Sequence, residues 1–255
     1  MKKPILLLIL LLSLTTSFAQ DKLLKGLTIE AGADFMSCDP PDEKSYIRAD
    51  VVTHNYYGSP ASYVRALFYK NYYGLKFEKR VLDNKIGISS GLRYTRNDAS
   101  IGKDTYWSTH TNYFYLLFRK EGTTTEFLRV RSISQLSHYL GAPLEIRIYP
   151  YKERKVQIYY KIAMDFNVFL SGDTRLVFYE KNMEPNSKEA SKLVEDPWKF
   201  YATVTAAIGL KIGDSSKPGL NLEACAPSGL IYNRNSSFIN PLYGGGIQIN
   251  FRFPL

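Results

Sequence analysis

The chain has 255 residues and a formal net charge of +9, with 20 Tyr and 14 Phe against two Trp and two Cys. That length is one domain's worth. Two cysteines exclude a four-cysteine metal site and a dense disulfide framework. The positive surplus is dispersed, with no basic cluster interleaved with aromatics, so nucleic acid is not an expected partner.

Residues 1–19 predict a cleaved secretory signal peptide: Lys2 and Lys3, an apolar run from Ile5 to Leu14, and a Ser17-Phe18-Ala19 exit. An N-terminal anchor is the competing reading, but the run is shorter than the roughly 20 residues a spanning helix needs. No cysteine follows it to carry a lipid. Loss of Lys2 and Lys3 lowers the net charge from +9 to +7. Residues 20–255 are then one exported domain, and none of its runs is apolar enough for a helical span.

The first predicted strand is Leu27–Met36, with Leu27, Ile29, Ala31, Ala33 and Phe35 alternating with Thr28, Glu30, Gly32 and Asp34. Pro40 and Pro41 end it, and residues 43–62 read as a long loop. A second strand runs to about Val81, with Tyr69, Tyr73, Leu75 and Phe77 outward and Lys76 and Glu78 inward. Residues 82–85 form a short turn, and the third strand, Ile86–Arg96, points Leu92 and Tyr94 outward and Arg93 inward. Residues 97–137 read as a long hairpin projecting beyond the wall, built from 112–118 and 126–131; a further strand pair in the wall, ten in all, is the alternative.

Residues 140–170 carry the clearest pattern. Even positions from Leu140 to Ile148 and from Val156 to Leu170 are apolar, whereas Glu145, Arg147, Gln157, Lys161, Asp165 and Asn167 fall on odd ones. Two long strands joined by a tight charged turn produce this period of two. Residues 171–198 read as a charged loop in which Asn186 and Glu189 resemble a capping box ahead of a short helix ending near Val194. Phe200–Ile212 and Leu220–Ala226 are the sixth and seventh strands, 227–241 a loop, and Tyr243–Phe253 the closing strand. Connections therefore alternate long and short, as in an up-and-down outer-membrane barrel with short periplasmic turns and long extracellular loops. An open sheet edge in lipid would strand backbone donors and acceptors, so closure is required.

Tyr139-Leu140-Gly141-Ala142-Pro143-Leu144-Glu145 opening a strand and the closing segment 244–253, GGGIQINFRF, resemble the PorT-like family of small outer-membrane β-barrels. The chain ends Phe253-Pro254-Leu255, where a terminal aromatic is usual for recognition by the barrel-assembly machinery. The resemblance implies fold and location, and for some relatives a link to the secretion apparatus.

By parity, Glu30, Asp34, Glu78, Glu145, Asp165 and Glu223 face the same lumen as Lys76, Arg93, Arg147, Lys161, Lys211 and Arg252. Cross-lumen pairing is the expected role, since an unpaired charge in a nearly dry interior is costly; an ion path or an acid/base carboxylate pair is the functional alternative. His54, His110 and His138 sit in loops or near strand ends, and Ser137-His138 and Asp50 near His54 are the only hints of a rim hydrolase. Cys38 and Cys225, both inward by parity, are a candidate disulfide across the top of the lumen. Tyr113, Phe114, Tyr115, Leu117 and Phe118 form a candidate partner-binding hairpin, against the alternative that they pack as an extension of the wall.

The expectation is an all-β, closed, antiparallel barrel of about eight strands with a side-chain-filled lumen, no catalytic site, no metal and no cofactor. Its expected partners are outer-membrane lipid, the assembly machinery and an envelope protein met through the outer loops. The competing classes are an outer-membrane enzyme or small transport barrel acting on lipid or a hydrophobic solute, and a soluble periplasmic lipocalin-like binder with the two faces reversed.

Overall fold

Alternation with a period of two gives each strand one apolar and one polar face, and a closed sheet is the way to bury one of them without leaving an edge. A computed structural model of the chain describes residues 24–39, 47–48, 66–102, 114–118, 126–151, 154–233 and 239–255. Ten strands follow one another: β1 (Leu24–Asp39), β2 (Ile47–Arg48), β3 (Ala66–Val81), β4 (Ile86–Ile101), β5 (Phe114–Phe118), β6 (Glu126–Ile148), β7 (Val156–Phe178), β8 (Phe200–Ile212), β9 (Gly219–Ile231) and β10 (Asn240–Phe253). Eight of them close a ring, β1-β3-β4-β6-β7-β8-β9-β10 and back to β1, with every pair antiparallel.

The other two strands do not enter the wall. β4 pairs with Ile133–Ile148 of β6, and where β4 ends, β5 takes its place against residues 126–130. β2 adds two residues to the far side of β5. The wall is thus eight-stranded, and residues 114–118 continue it upward as a hairpin arm, so the ten-strand wall is overturned.

The two faces separate cleanly. Ile162 is 60% exposed on the outside while its neighbour Lys161 is 3% exposed inside. Ile158, Tyr160, Tyr73, Leu75, Ile208, Ile247 and Phe251 continue the outer apolar surface around the ring. Apolar side chains out and charges in is the reverse of a lipocalin, and the soluble-binder arrangement is not the one found. Short connections at 82–85, 149–155 and 213–218 lie at the end where β1 begins and β10 finishes, with Leu27 opposite Phe253. Leu82, Asp83 and Asn84 make their turn with φ of 51°, 54° and 66°, closed by Lys85 N–H donating to Leu82 O at 3.0 Å; two of the three are residue types that tolerate the left-handed region.

Several expected boundaries move: β1 spans Leu24–Asp39 rather than Leu27–Met36, β4 runs past Arg96 to Ile101, and β6 is continuous from Glu126 to Ile148. β7 runs on to Phe178, β9 to Ile231, and β10 starts at Asn240, because paired partners extend beyond the region of simple alternation. The expected capping box is not formed: Asn186 is itself helical (φ −82°, ψ −2°) and its side chain makes no cap, since a 3-10 turn (181–186) already precedes the single α-turn Ser187–Ala190. The signal peptide and most of 43–62 lie outside the described residues.

Two inward glycines make room for rings. Gly32 lies directly opposite Tyr72, and Gly209 directly opposite Tyr159. A Cβ on either would come within 2.3 Å of the Tyr72 ring or 2.2 Å of the Tyr159 ring. Gly209→Val is therefore expected to destabilise the barrel by at least about 1–3 kcal/mol, read as a lower urea midpoint and a smaller heat-shifted fraction on a gel. Partial recovery is expected when Tyr159→Leu is added; an unchanged Gly209→Val midpoint would contradict this packing.

Candidate functional site

An eight-stranded barrel is just wide enough for side chains to fill, so the site begins with what the inward positions carry. All twelve charged residues expected in the lumen are buried there, and β3 adds Lys70 and Arg80. Both share the parity of Lys76 and Glu78, so the signal for them was present in the alternation. The lumen then holds eight cations against six carboxylates among the described residues.

Arg93, on β4, sits at the centre. Its Nε and Nη2 donate to the two oxygens of Glu30 at 2.6 Å each, and its Nη1 lies 2.5 Å from Asp165 Oδ2. A fixed fork of donors suits this bidentate geometry. Lys76 Nζ bridges Glu30 and Glu145, both at 2.7 Å. Glu145 also accepts from Arg93 Nη2 at 3.1 Å, Arg147 Nη2 at 2.8 Å and Ser89 Oγ at 3.2 Å. Glu223 pairs with Lys161 and Arg147 and accepts from Tyr159 OH at 2.6 Å and Asn250 Nδ2 at 2.9 Å. Glu78 takes Arg147 Nη1 at 2.6 Å and Arg80 Nε at 2.8 Å. Asp34 and Asp165 share Lys70, at 3.3 and 3.6 Å.

Tyrosine rings and one turn complete this layer. Arg93 and Lys70 lie over Tyr72, and Arg80 over Tyr149, with cation-to-centroid distances of 4.5, 5.1 and 4.3 Å. At the short-turn end, Arg80, Lys211 and Arg252 all donate to Ser215 Oγ, and Arg252 also donates to the Asp214 carbonyl at 2.7 Å. Lys211 and Arg252 thus face the 213–218 turn. Each of these six carboxylates has a cation within 3.6 Å, so the layer is a network of paired charges.

Above the charges the interior becomes apolar. Phe68, Ile101, Phe114, Leu116, Phe118, Leu128, Val130, Tyr139, Leu176, Phe178, Trp198 and Tyr201 form one buried cluster, joined by Ala190 and Val194 from the segment after β7. Trp198 packs against Tyr232, Tyr201 and Phe68 with ring centroids 4.6, 5.7 and 5.9 Å apart. Tyr201 OH and the Asn97 amide, 3.1 Å apart, mark the border between the two layers. Parity alone hides this layer: register shifts at Val130/Ser132 and His138/Tyr139 in the β6–β7 pair change which residues face in, so Leu128, Val130, Leu176 and Phe178 turn inward on even numbers.

The candidate hairpin divides between its two faces. Phe114, Leu116 and Phe118 belong to the buried cluster, whereas Tyr115 and Leu117 lie on the outer face, Tyr115 edge-on to Phe127 at 6.2 Å. Tyr113 lies outside the described residues. Cys38 and Cys225 are not bridged. Cys225 stands opposite Gly246, itself opposite Asp34, so Cys38 is four residues higher with β10 between. That offset is about 13 Å along the strand at 3.3 Å per residue, beyond the roughly 7 Å reach of a disulfide. Ser137 faces the lumen and His138 the outer wall, so they make no dyad; His54, His110 and Asp50 lie outside the described residues.

Removing one carboxylate from this layer leaves several buried cations uncompensated. Glu145→Ala is expected to cost about 3–5 kcal/mol, seen as a lower urea midpoint. Arg175→Ala, which breaks the exposed Arg175–Asp173 pair at 2.8 Å, is expected to leave the midpoint unchanged. Equal effects of the two would contradict an interlocked lumen.

The chain is similar to the outer membrane protein OprG from Pseudomonas aeruginosa, with 14% identity over 90% of this chain and 96% of that one and a TM-score of 0.41. It is also similar to the outer membrane protease OmpT from Escherichia coli, with 8% identity over 91% and 94% and a TM-score of 0.33. No protein-family model and no curated protein matches it. The barrel rests on its own strand pairing rather than on either likeness.

Proposed function

We propose that the protein is an outer-membrane barrel with a closed interior that works through its outer end, as a structural or interaction protein of the cell envelope rather than as a channel or an enzyme. The observation that carries this reading is the filled lumen. A layer of paired charges is capped by an apolar layer, with Glu145 and Arg147 fully buried in the first and Leu116 and Val130 in the second. Placement in lipid follows from the outer wall, where a contiguous apolar face of this extent in water would aggregate, and from the backbone pairing that closes the ring.

The outer end offers the surface. β6 and β7 reach well past β8 and carry Phe127 and Val177 exposed, with Tyr179 exposed just after β7 and Phe127 packed against Tyr115. Apolar and aromatic side chains on a projecting sheet are suited to an envelope protein partner. Within this reading the chain is PorT-like, on the strength of the segments at 139–145 and 244–253, and service to a secretion apparatus is the role that resemblance suggests.

The test is electrical. The mature chain, refolded and inserted into planar bilayers, is expected to give no steady conductance, because paired charges fill one layer of the lumen and apolar side chains the next. A stable open pore would overturn the proposal and favour the transport class.

A further inference from the structure

The inference rests on the outer-membrane reading and concerns the outside of the wall. Strand register places Asn71 of β3, Arg96 of β4 and His138 of β6 side by side in one row, each opposite the next. All three have outward parity, and Arg96 is exposed. The row beneath holds Tyr73 and Tyr94, and the row above holds Tyr69 and Asp98. Tyr94 OH lies 2.6 Å from His138 Nδ1 and the two rings stack at 5.8 Å. The hydroxyl therefore fixes the imidazole and leaves Nε2 as the nitrogen it does not engage. Among the described residues Arg96 makes no ion pair, not even with Asp98 two positions along the same face.

Height decides what this row meets. Arg96 is ten residues above Ile86, the first residue after the short turn. Ten residues span about 33 Å along a strand, or about 25 Å along the axis at a tilt of roughly 40°, which is the height of the apolar band of such barrels. Below Arg96 the outward residues of β4 are Tyr94, Leu92, Ser90, Ile88 and Ile86. Elsewhere the same row carries Ala33 and Ile247, so the cation is local to β3, β4 and β6. An arginine fork, an oriented imidazole and an amide, lined up over two tyrosines at the edge of the hydrocarbon, match a phosphate monoester held at headgroup depth.

We propose that Asn71, Arg96 and His138 form a site for the phosphate of an outer-leaflet glycolipid, with Tyr73 and Tyr94 lying against the glycolipid's sugar and upper acyl region. The guanidinium supplies the paired donors and His138 and Asn71 flank it. Asp98, one row higher, bounds the site on the solvent side and disfavours a second anion there.

The test uses the mature chain in phosphatidylcholine nanodiscs containing a few mole percent of lipid A, either phosphorylated or with its phosphates removed. Bound glycolipid is counted by native mass spectrometry after release. Phosphorylated lipid A is expected to be retained in preference to the dephosphorylated form. Arg96→Gln is expected to lower its retention about tenfold, Arg96→Lys less, and Asp98→Asn not at all. Equal retention of the two lipids, or an Arg96→Gln variant that binds like wild type, would overturn the site. A chain that fails to enter the nanodisc, or whose gel band does not shift on heating, would instead overturn the membrane reading on which it rests. Arg96 is exposed, so loss of folding in its variants is not expected, and the heat shift checks that directly.

Discussion

Everything in this barrel depends on the constraint that an eight-stranded ring has room for side chains and for little else. Any charge placed inside must find its counter-charge within a few ångströms. Arg93 illustrates how this is done. It touches Glu30, Glu145 and Asp165, which come from β1, β6 and β7. One side chain on β4 thereby joins strands from different sides of the ring, a cross-link that backbone pairing between neighbours cannot provide. Glu145 does the same from the other sign, meeting cations of β3, β4 and β6. Burying so many ions offers little net stability over an apolar filling. What the network does provide is uniqueness, because a one-residue slip in any strand would replace its inward charges with apolar side chains and strand the partners opposite.

The change from a charged to an apolar interior follows from where each layer sits. At the level of the apolar outer wall, the inward positions of the same strands carry the paired charges. Above that level the outer face meets water and carries Arg131, Asp173 and Arg175, so the same strands can bury apolar residues inside instead. The register shifts within the β6–β7 pair are the device that lets this happen. They turn Leu128, Val130, Leu176 and Phe178 inward, where Trp198 from the segment before β8 meets them. The upper layer is therefore an ordinary hydrophobic core lying over the charged layer. The projecting arm of β5 packs into that core through Phe114, Leu116 and Phe118 and turns the half-buried Tyr115 and Leu117 to the outer face.

Much of the wall was legible in the sequence because alternation is a local property. The strands around Lys161, Thr203 and Asn250 have the faces that their parity predicts, and the alternation of long and short connections gives the strand order. The inward charges were legible for the same reason, and Lys70 and Arg80 were equally available. What alternation does not carry is any event that shifts the count by one. The inward turn of Leu128 and Phe178 depends on register shifts that only pairing reveals, and the capping pattern at Asn186 loses to a preceding 3-10 turn. The two cysteines share a face by parity, yet their separation depends on register between strands that do not touch. The Asn71–Arg96–His138 row is of the same kind, since three residues from three strands become neighbours only once the register is known.

Cys225 is placed to report on whether the interior is closed. Its thiol is buried inside the ring at the level of Asp34 and Gly246. In a Cys38→Ser background, the folded protein in lipid should be treated with a small membrane-impermeant maleimide, and labelling compared before and after denaturation. A closed interior predicts no labelling of Cys225 until the barrel is unfolded, and full labelling afterwards. Rapid labelling of the folded, heat-shifting form would mean that solvent and solutes reach the middle of the lumen, and would contradict the filled barrel on which the rest depends.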